Sequence, residues 1–297
     1  MRITALLLLL SLLPAPASAQ GLYSPDGLGR AEHNRSYLTA RTGYSDSEGL
    51  AHRSLGASGS AALGRGVSLE TGATHHRILK DGWLPGELYS AGFKLNARTR
   101  KNFFSAGLQS NSDRPFYSIH ETNVSFNAAR TFSSSGPHSF AAGLMYSSRR
   151  SFARRIPFPY VSYNYRSEKF SFRLPFSASW RPSKAYELSA AYIPPKYCQA
   201  SVLVKASETL SFKAEYIYSA LQFEQAGRPD KDYSTYIEQA NAGLWTQYKA
   251  SDNYNFSLWT GWALRGRYFR GKAYDDHHDK RNIGSSPAIA LSAARLF

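Results

Sequence analysis

The chain has 297 residues, with 36 Lys+Arg against 21 Asp+Glu for a formal charge of +15, and 42% hydrophobic residues. That length supports a sizeable fold, and the average composition looks soluble. Past residue 19 nothing approaches the about 20 consecutive apolar residues of a transmembrane helix, and a single cysteine, Cys198, excludes an intramolecular disulfide framework.

Residues 1–19, MRITALLLLLSLLPAPASA, combine Arg2, an apolar run from Ile3 to Leu13 and the small residues Ala17, Ser18 and Ala19. That is the pattern of an export signal peptide cleaved before Gln20. Residues 20–35 read as a flexible N-terminal extension, and 36–297 as one β domain. Tyr 20, Phe 17 and Gly 22 suit strands and turns better than long helices.

Apolar and polar residues alternate along the rest of the chain. The clearest case is 210–221, where Leu210, Phe212, Ala214, Tyr216, Tyr218 and Ala220 share one face and Ser211, Lys213, Glu215 and Ser219 the other, with Ile217 as an exception. The pattern predicts strands at 36–45, 66–78, 87–98, 102–110, 120–132, 138–148, 160–167, 170–180, 185–193, 199–206, 210–223, 235–250, 254–269 and 288–297, fourteen in all. Residues 52–66, HRSLGASGSAALGRG, read as either a small-residue strand or a loop, and twelve strands is the alternative count.

A two-sheet sandwich also alternates. A barrel in a bilayer turns its apolar face to lipid and its polar face to the lumen, and closure satisfies every edge. The last segment, PAIALSAARLF, favours the barrel: Ile289, Leu291, Ala293 and Phe297 share a face, and Arg295 stands near its end, where its guanidinium can snorkel to a headgroup.

With its leader, amphipathic strands and aromatic last residue, the chain resembles Gram-negative outer-membrane β-barrel proteins. The stretch 157–195, PFPYVSYNYRSEKFSFRLPFSASWRPSKAYELSAAYIPP, is similar to poorly characterised, porin-like members with short Pro-flanked strands. The resemblance implies an all-β transmembrane antiparallel barrel in the cell outer membrane, in contact with its lipids and lipopolysaccharide. It also implies that Ile289, Leu291, Ala293 and Phe297 form the signal read by the barrel assembly machinery. Oligomeric state is left open.

With both termini periplasmic, an even strand count puts 224–232 and 270–287 outside and 249–255 inside. It also puts the Pro- and Arg-rich 149–159 inside, where its length fits badly unless a strand has been missed. The lumen face collects Lys94, Arg98, Arg173, Lys205, Lys213, Arg265 and Arg267 against Glu187 and Glu215. Such a lining favours passive diffusion of small polar or anionic solutes, whereas the same residues as packed ion pairs or lipid contacts imply a structural or surface-interaction barrel.

An outer-membrane lipid esterase or deacylase is a third reading, and an enzyme is not expected. His138 and Ser139, His75 and His76, and His120 and Glu121 are adjacent, so a regular strand separates each pair across its faces. Asp275, Asp276, His277, His278 and Asp279 supply metal-type donors without a defining geometry, and no metal or other cofactor is predicted. Dispersed charge and export argue against nucleic acid. Tyr186, Tyr192, Tyr216, Trp262 and Tyr268 are expected in interfacial aromatic girdles.

Overall fold

The computed structural model describes residues 36–79, 84–149, 155–174, 177–193, 197–272, 274 and 276–297; the predicted leader and extension, 1–19 and 20–35, lie outside the described residues. The strands are β1 (Tyr37–Ser47), β2 (Leu50–Gly64), β3 (Val67–Ile78), β4 (Glu87–Arg98), β5 (Asn102–Ser112) and β6 (Thr122–Ser135). Then follow β7 (His138–Ser147), β8 (Phe158–Arg166), β9 (Phe170–Leu174), β10 (Ser177–Trp180), β11 (Tyr186–Ile193) and β12 (Tyr197–Lys205). The last are β13 (Leu210–Phe223), β14 (Ser234–Lys249), β15 (Tyr254–Gly271), β16 (His278–Ile283) and β17 (Ser286–Leu296).

Neighbours in sequence pair antiparallel, and β17 returns to β1 in a register running from Tyr37↔Leu296 to Ser45↔Ala288. Because β16 and β17 lie end to end along β15, they form one wall strand, and the closed ring has 16 strands. The expected counts of fourteen and twelve are therefore too low. One missing strand is β2, whose Gly, Ala and Ser carry almost no apolar alternation; its register is set by β1 and β3 on either side. The other lies in 170–180, which is a hairpin of β9 and β10 rather than one strand.

The extra strand β2 also moves the 148–157 connection to the end of the ring that carries the other long connections, 79–86, 113–121, 224–233 and 272–277. We call this the loop end. The opposite turn end has short links such as Arg65-Gly66 and Gly136-Pro137. At Gly66, φ is +76° and a Cβ would stand 2.1 Å from the Arg98 carbonyl oxygen, so the β2–β3 turn requires glycine.

Over most of its height the wall shows its apolar side chains to the outside. Phe93, Leu144, Val202, Leu244, Phe256, Leu258 and Leu291 are all exposed there. A continuous apolar surface of this kind is stable against hydrocarbon and not against water. At the turn end it finishes in an aromatic row that includes Phe104, Phe140, Trp180, Tyr186, Tyr248, Tyr254 and Phe297.

At the loop end of β2–β4 and β13–β16 the polarity inverts. Leu50, Ile78, Leu84, Leu88, Phe223, Tyr268 and Ile283 pack inside the ring as one buried cluster, supported by Leu221 and Ile237. Ile217, the exception in the β13 pattern, shares this inward face and is where the inversion begins. Tyr268 is a correction: it is only 2% exposed and belongs to the inner cluster, not to a girdle, whereas Tyr186, Tyr192, Tyr216 and Trp262 are exposed on the outer face.

On β13 the alternation is unbroken and larger apolar residues take over the inward positions, whereas on β15 the faces themselves are exchanged by a bulge. Between the pairs Asn241↔Ala263 and Gln239↔Gly266, β15 carries one extra residue, which exchanges its faces for the remainder of the strand.

Candidate functional site

The inner face of the lower ring is built from small and polar side chains. Ser171, Ser179, Ser189 and Ser201 lie directly opposite one another across β9–β12, and Ser201 lies opposite Glu215 on β13. Hydroxyl contacts of 2.7 Å join Ser171 to Ser179, and 2.8 Å join Ser189 to Ser201. The row ends at Glu215, which takes Lys213 Nζ at 2.7 Å and the Trp245 Nε1–H at 2.9 Å. Trp245 in turn lies under the Arg41 guanidinium, 5.1 Å from its ring centre.

The predicted lining residues divide. Lys94, Arg98, Arg173, Lys205, Lys213, Glu187 and Glu215 occupy inward positions of their strands. Lys94 is 3.6 Å from Glu70, a carboxylate absent from the expected lining, and Glu187 accepts from Arg181 at 2.7 Å. Arg173 donates to the neutral Asn164 at 2.8 Å.

Arg265 and Arg267 do not face the lumen. The β15 bulge carries them to the outer face, where Arg267 meets Glu238. Simple alternation placed them inside because sequence periodicity cannot see an inserted residue. Ile289, Leu291 and Ala293 lie on the outer face of β17 and Phe297 is exposed just beyond its end, with the Arg295 guanidinium 4.6 Å from the Phe297 ring centre and 5.6 Å from that of Tyr254.

At the loop end opposite walls meet. β5 and β13 stand halfway round the ring from each other, yet the Glu224 N–H donates to Asn111 O at 2.8 Å and Asn111 Nδ2 donates to Gln222 O at 3.1 Å. The 224–233 loop then crosses to the 113–121 loop. Its Arg228 is buried between Glu121 and Glu224, at 2.9 Å from each, and donates to the carbonyls of Gln225, His120 and Lys231 at 2.6, 2.9 and 2.9 Å. Arg149 donates to His120 O as well. Nothing local in the sequence marks this latch, since its partners are more than 100 residues apart.

Beside the latch, His76 Nδ1 is 3.0 Å from His52 Nε2, and His76 Nε2 is 3.4 Å from Ser90 Oγ. Adjacent-pair reasoning missed this chain because it joins three strands. Ser90 is 1% exposed and His76 lies edge-on to Phe223, so no substrate carbonyl has room at the hydroxyl. His75 points outward and stacks on Tyr89, and His138 bonds Tyr163 rather than Ser139.

The acidic and histidine loop gathers no metal set among the described residues. His277 packs on Phe269 at 4.3 Å, Asp279 faces Arg270 at 3.9 Å, and Asp276 pairs with His278 at 2.7 Å. The Lys272 backbone N–H on Asp276 and the neighbouring His278 hold that carboxyl below its ordinary range. Lys272 and Asp230 form a pair at 2.8 Å in which each favours the charged form of the other, the lysine pKa moving up and the carboxyl down.

A closed ring whose outer wall is apolar and bounded by aromatics, around a polar inner face, leaves one assignment. The chain is an outer-membrane β-barrel. No family profile and no curated protein sequence matches it. Among solved structures it is similar to an outer-membrane channel from Pseudomonas putida F1, with a TM-score of 0.37 and 11% identity over 93% of this chain and 100% of that one. It is also similar to OmpT, an outer-membrane protein of Vibrio cholerae, with a TM-score of 0.33 and 10% identity over 88% of this chain and 96% of that one. A third is OpdK from Pseudomonas aeruginosa, with a TM-score of 0.33 and 11% identity over 89% of this chain and 99% of that one.

Proposed function

We propose that this outer-membrane barrel is a channel for small polar solutes with a weak preference for anions, narrowed at its loop end by the 224–233 loop. The observation that carries this reading is the ratio of ring to lining. Barrels of about 16 strands enclose an aqueous channel unless something large fills it, and the lower inner face offers serine-sized groups from β9 to β12. The long connections lie outside and the short turns in the periplasm. The outer row of β17 supports a role for Ile289, Leu291, Ala293 and Phe297 in barrel assembly.

The anion preference is weaker than seven cations facing two carboxylates implied. Arg265 and Arg267 leave the lining and Glu70 joins it, with Lys94 and Lys213 spent on carboxylate partners. Among the described residues Arg173 bonds the neutral Asn164, and with the turn-end Lys205 it supplies the remaining bias. In planar bilayers under a salt gradient, the reversal potential is expected to show chloride modestly favoured over potassium. Arg173→Glu combined with Lys205→Glu should move it to cation preference.

A second reading, a structural or surface-interaction barrel, is favoured by the apolar cluster and latch that fill one side of the mouth. Absence of conductance in both the native chain and an Arg228→Ala variant would select it and sink the channel. Among the described residues the hydrolase reading rests on the enclosed Ser90 beside His76.

A further inference from the structure

The geometry points to a binding site for the phosphate of an outer-leaflet glycolipid on the outer wall, between Arg265 and Lys280. The extra residue in β15 turns Arg265 and Arg267 outward, and Arg267 pairs across strands with Asn282 on β16. These residues, with Lys280, Tyr218 and Glu238, line a cavity of about 220 Å³. The single carboxylate in it, Glu238, is engaged by Arg267. Arg265 and Lys280 have no carboxylate partner among the described residues. The cavity thus presents two uncompensated cations and an amide to whatever approaches from outside, which is the donor set a phosphate monoester takes.

Height selects the source of that phosphate. The apolar belt on β15 starts at Tyr254 in the turn-end aromatic row and runs through Phe256 and Leu258 to Trp262, which is 53% exposed. At about 3.3 Å per residue and a strand tilt of about 40°, Arg265 stands about 28 Å above Tyr254, against an apolar belt of about 25 Å. The cations are therefore the first groups above hydrocarbon, at the level of the outer headgroups. Because the cavity opens on the wall and not into the lumen, a headgroup reaches it while its acyl chains lie along Trp262 and Leu258. This site does not depend on the channel reading.

The test is native mass spectrometry of the full chain in detergent micelles, titrated with bis-phosphorylated lipid A, with dephosphorylated lipid A and with inorganic phosphate. The native chain is expected to retain one phosphorylated lipid A, and Arg265→Gln with Lys280→Gln should weaken this at least about tenfold. Arg265→Lys with Lys280→Arg should keep most of the affinity, which separates loss of charge from loss of fold. Equal retention of dephosphorylated lipid A, or undiminished binding by the double glutamine variant, would overturn the proposal. Inorganic phosphate that displaces lipid A at equal concentration would show a free-anion site and overturn the lipid assignment.

Discussion

Replacing Arg228 with alanine is expected to enlarge the single-channel conductance while leaving the barrel folded. The guanidinium lies between Glu121 and Glu224, with side-chain exposures of 7%, 1% and 5% for the three groups. Removing one partner from a buried ionic group costs about 3–5 kcal/mol, because the remaining charges are left without compensation. A surface loop lowers that cost by leaving its site. The carboxylates reach water once the 224–233 loop lifts from the 113–121 loop, and the ring beneath has its own complete ladder. The strain is therefore released as movement at the mouth rather than as unfolding. Lysine at 228 keeps the charge and loses the fork that serves two carboxylates and three carbonyls, so its conductance should fall between the two. Unchanged conductance in Arg228→Ala would show that this loop does not limit flow.

The second large effect concerns the wall. Leu258→Arg is expected to destabilise the barrel in lipid vesicles by about 2–4 kcal/mol, the depth-dependent cost of a cation facing mid-bilayer. Ser257→Arg, one position away and directed into the lumen opposite Gln247 and Ser292, should change stability little. Urea unfolding of the two variants in the same vesicles measures the contrast. Equal losses would mean that the faces of β15 have been assigned the wrong way round.

The barrel was legible in sequence wherever lipid dictates the pattern. From Leu210 to Tyr216, and again from Ile289 to Leu291, hydrocarbon on one side and water on the other impose alternation that survives without any knowledge of neighbours. Two strands escaped for different reasons. β2 is built of side chains too small to signal a face, and the β9–β10 hairpin is shorter than the runs that periodicity recognises. Arg265 and Arg267 were misplaced by a single inserted residue, and Tyr268 with them. The latch was illegible in principle: Arg228, Glu121 and Arg149 acquire meaning only when two loops from opposite walls touch. The same holds for His52, His76 and Ser90, which adjacency rules could only separate.

The inversion of polarity along β13 and β15 means that one strand is stabilised by two solvents. Below the bulge its apolar side chains gain from contact with lipid, and the cohesion of that region follows bilayer thickness and composition. Above it, Phe223, Tyr268 and Ile283 are gathered by water, as in a soluble protein, and that attraction weakens on cooling and in urea. Mild urea or low temperature should therefore loosen the mouth and leave the ring intact, with the Tyr268 amide exchanging its hydrogen before that of Leu258; simultaneous exchange would show a single cooperative unit. The membrane boundary is written into the chain as the height at which hydrophobicity changes sides.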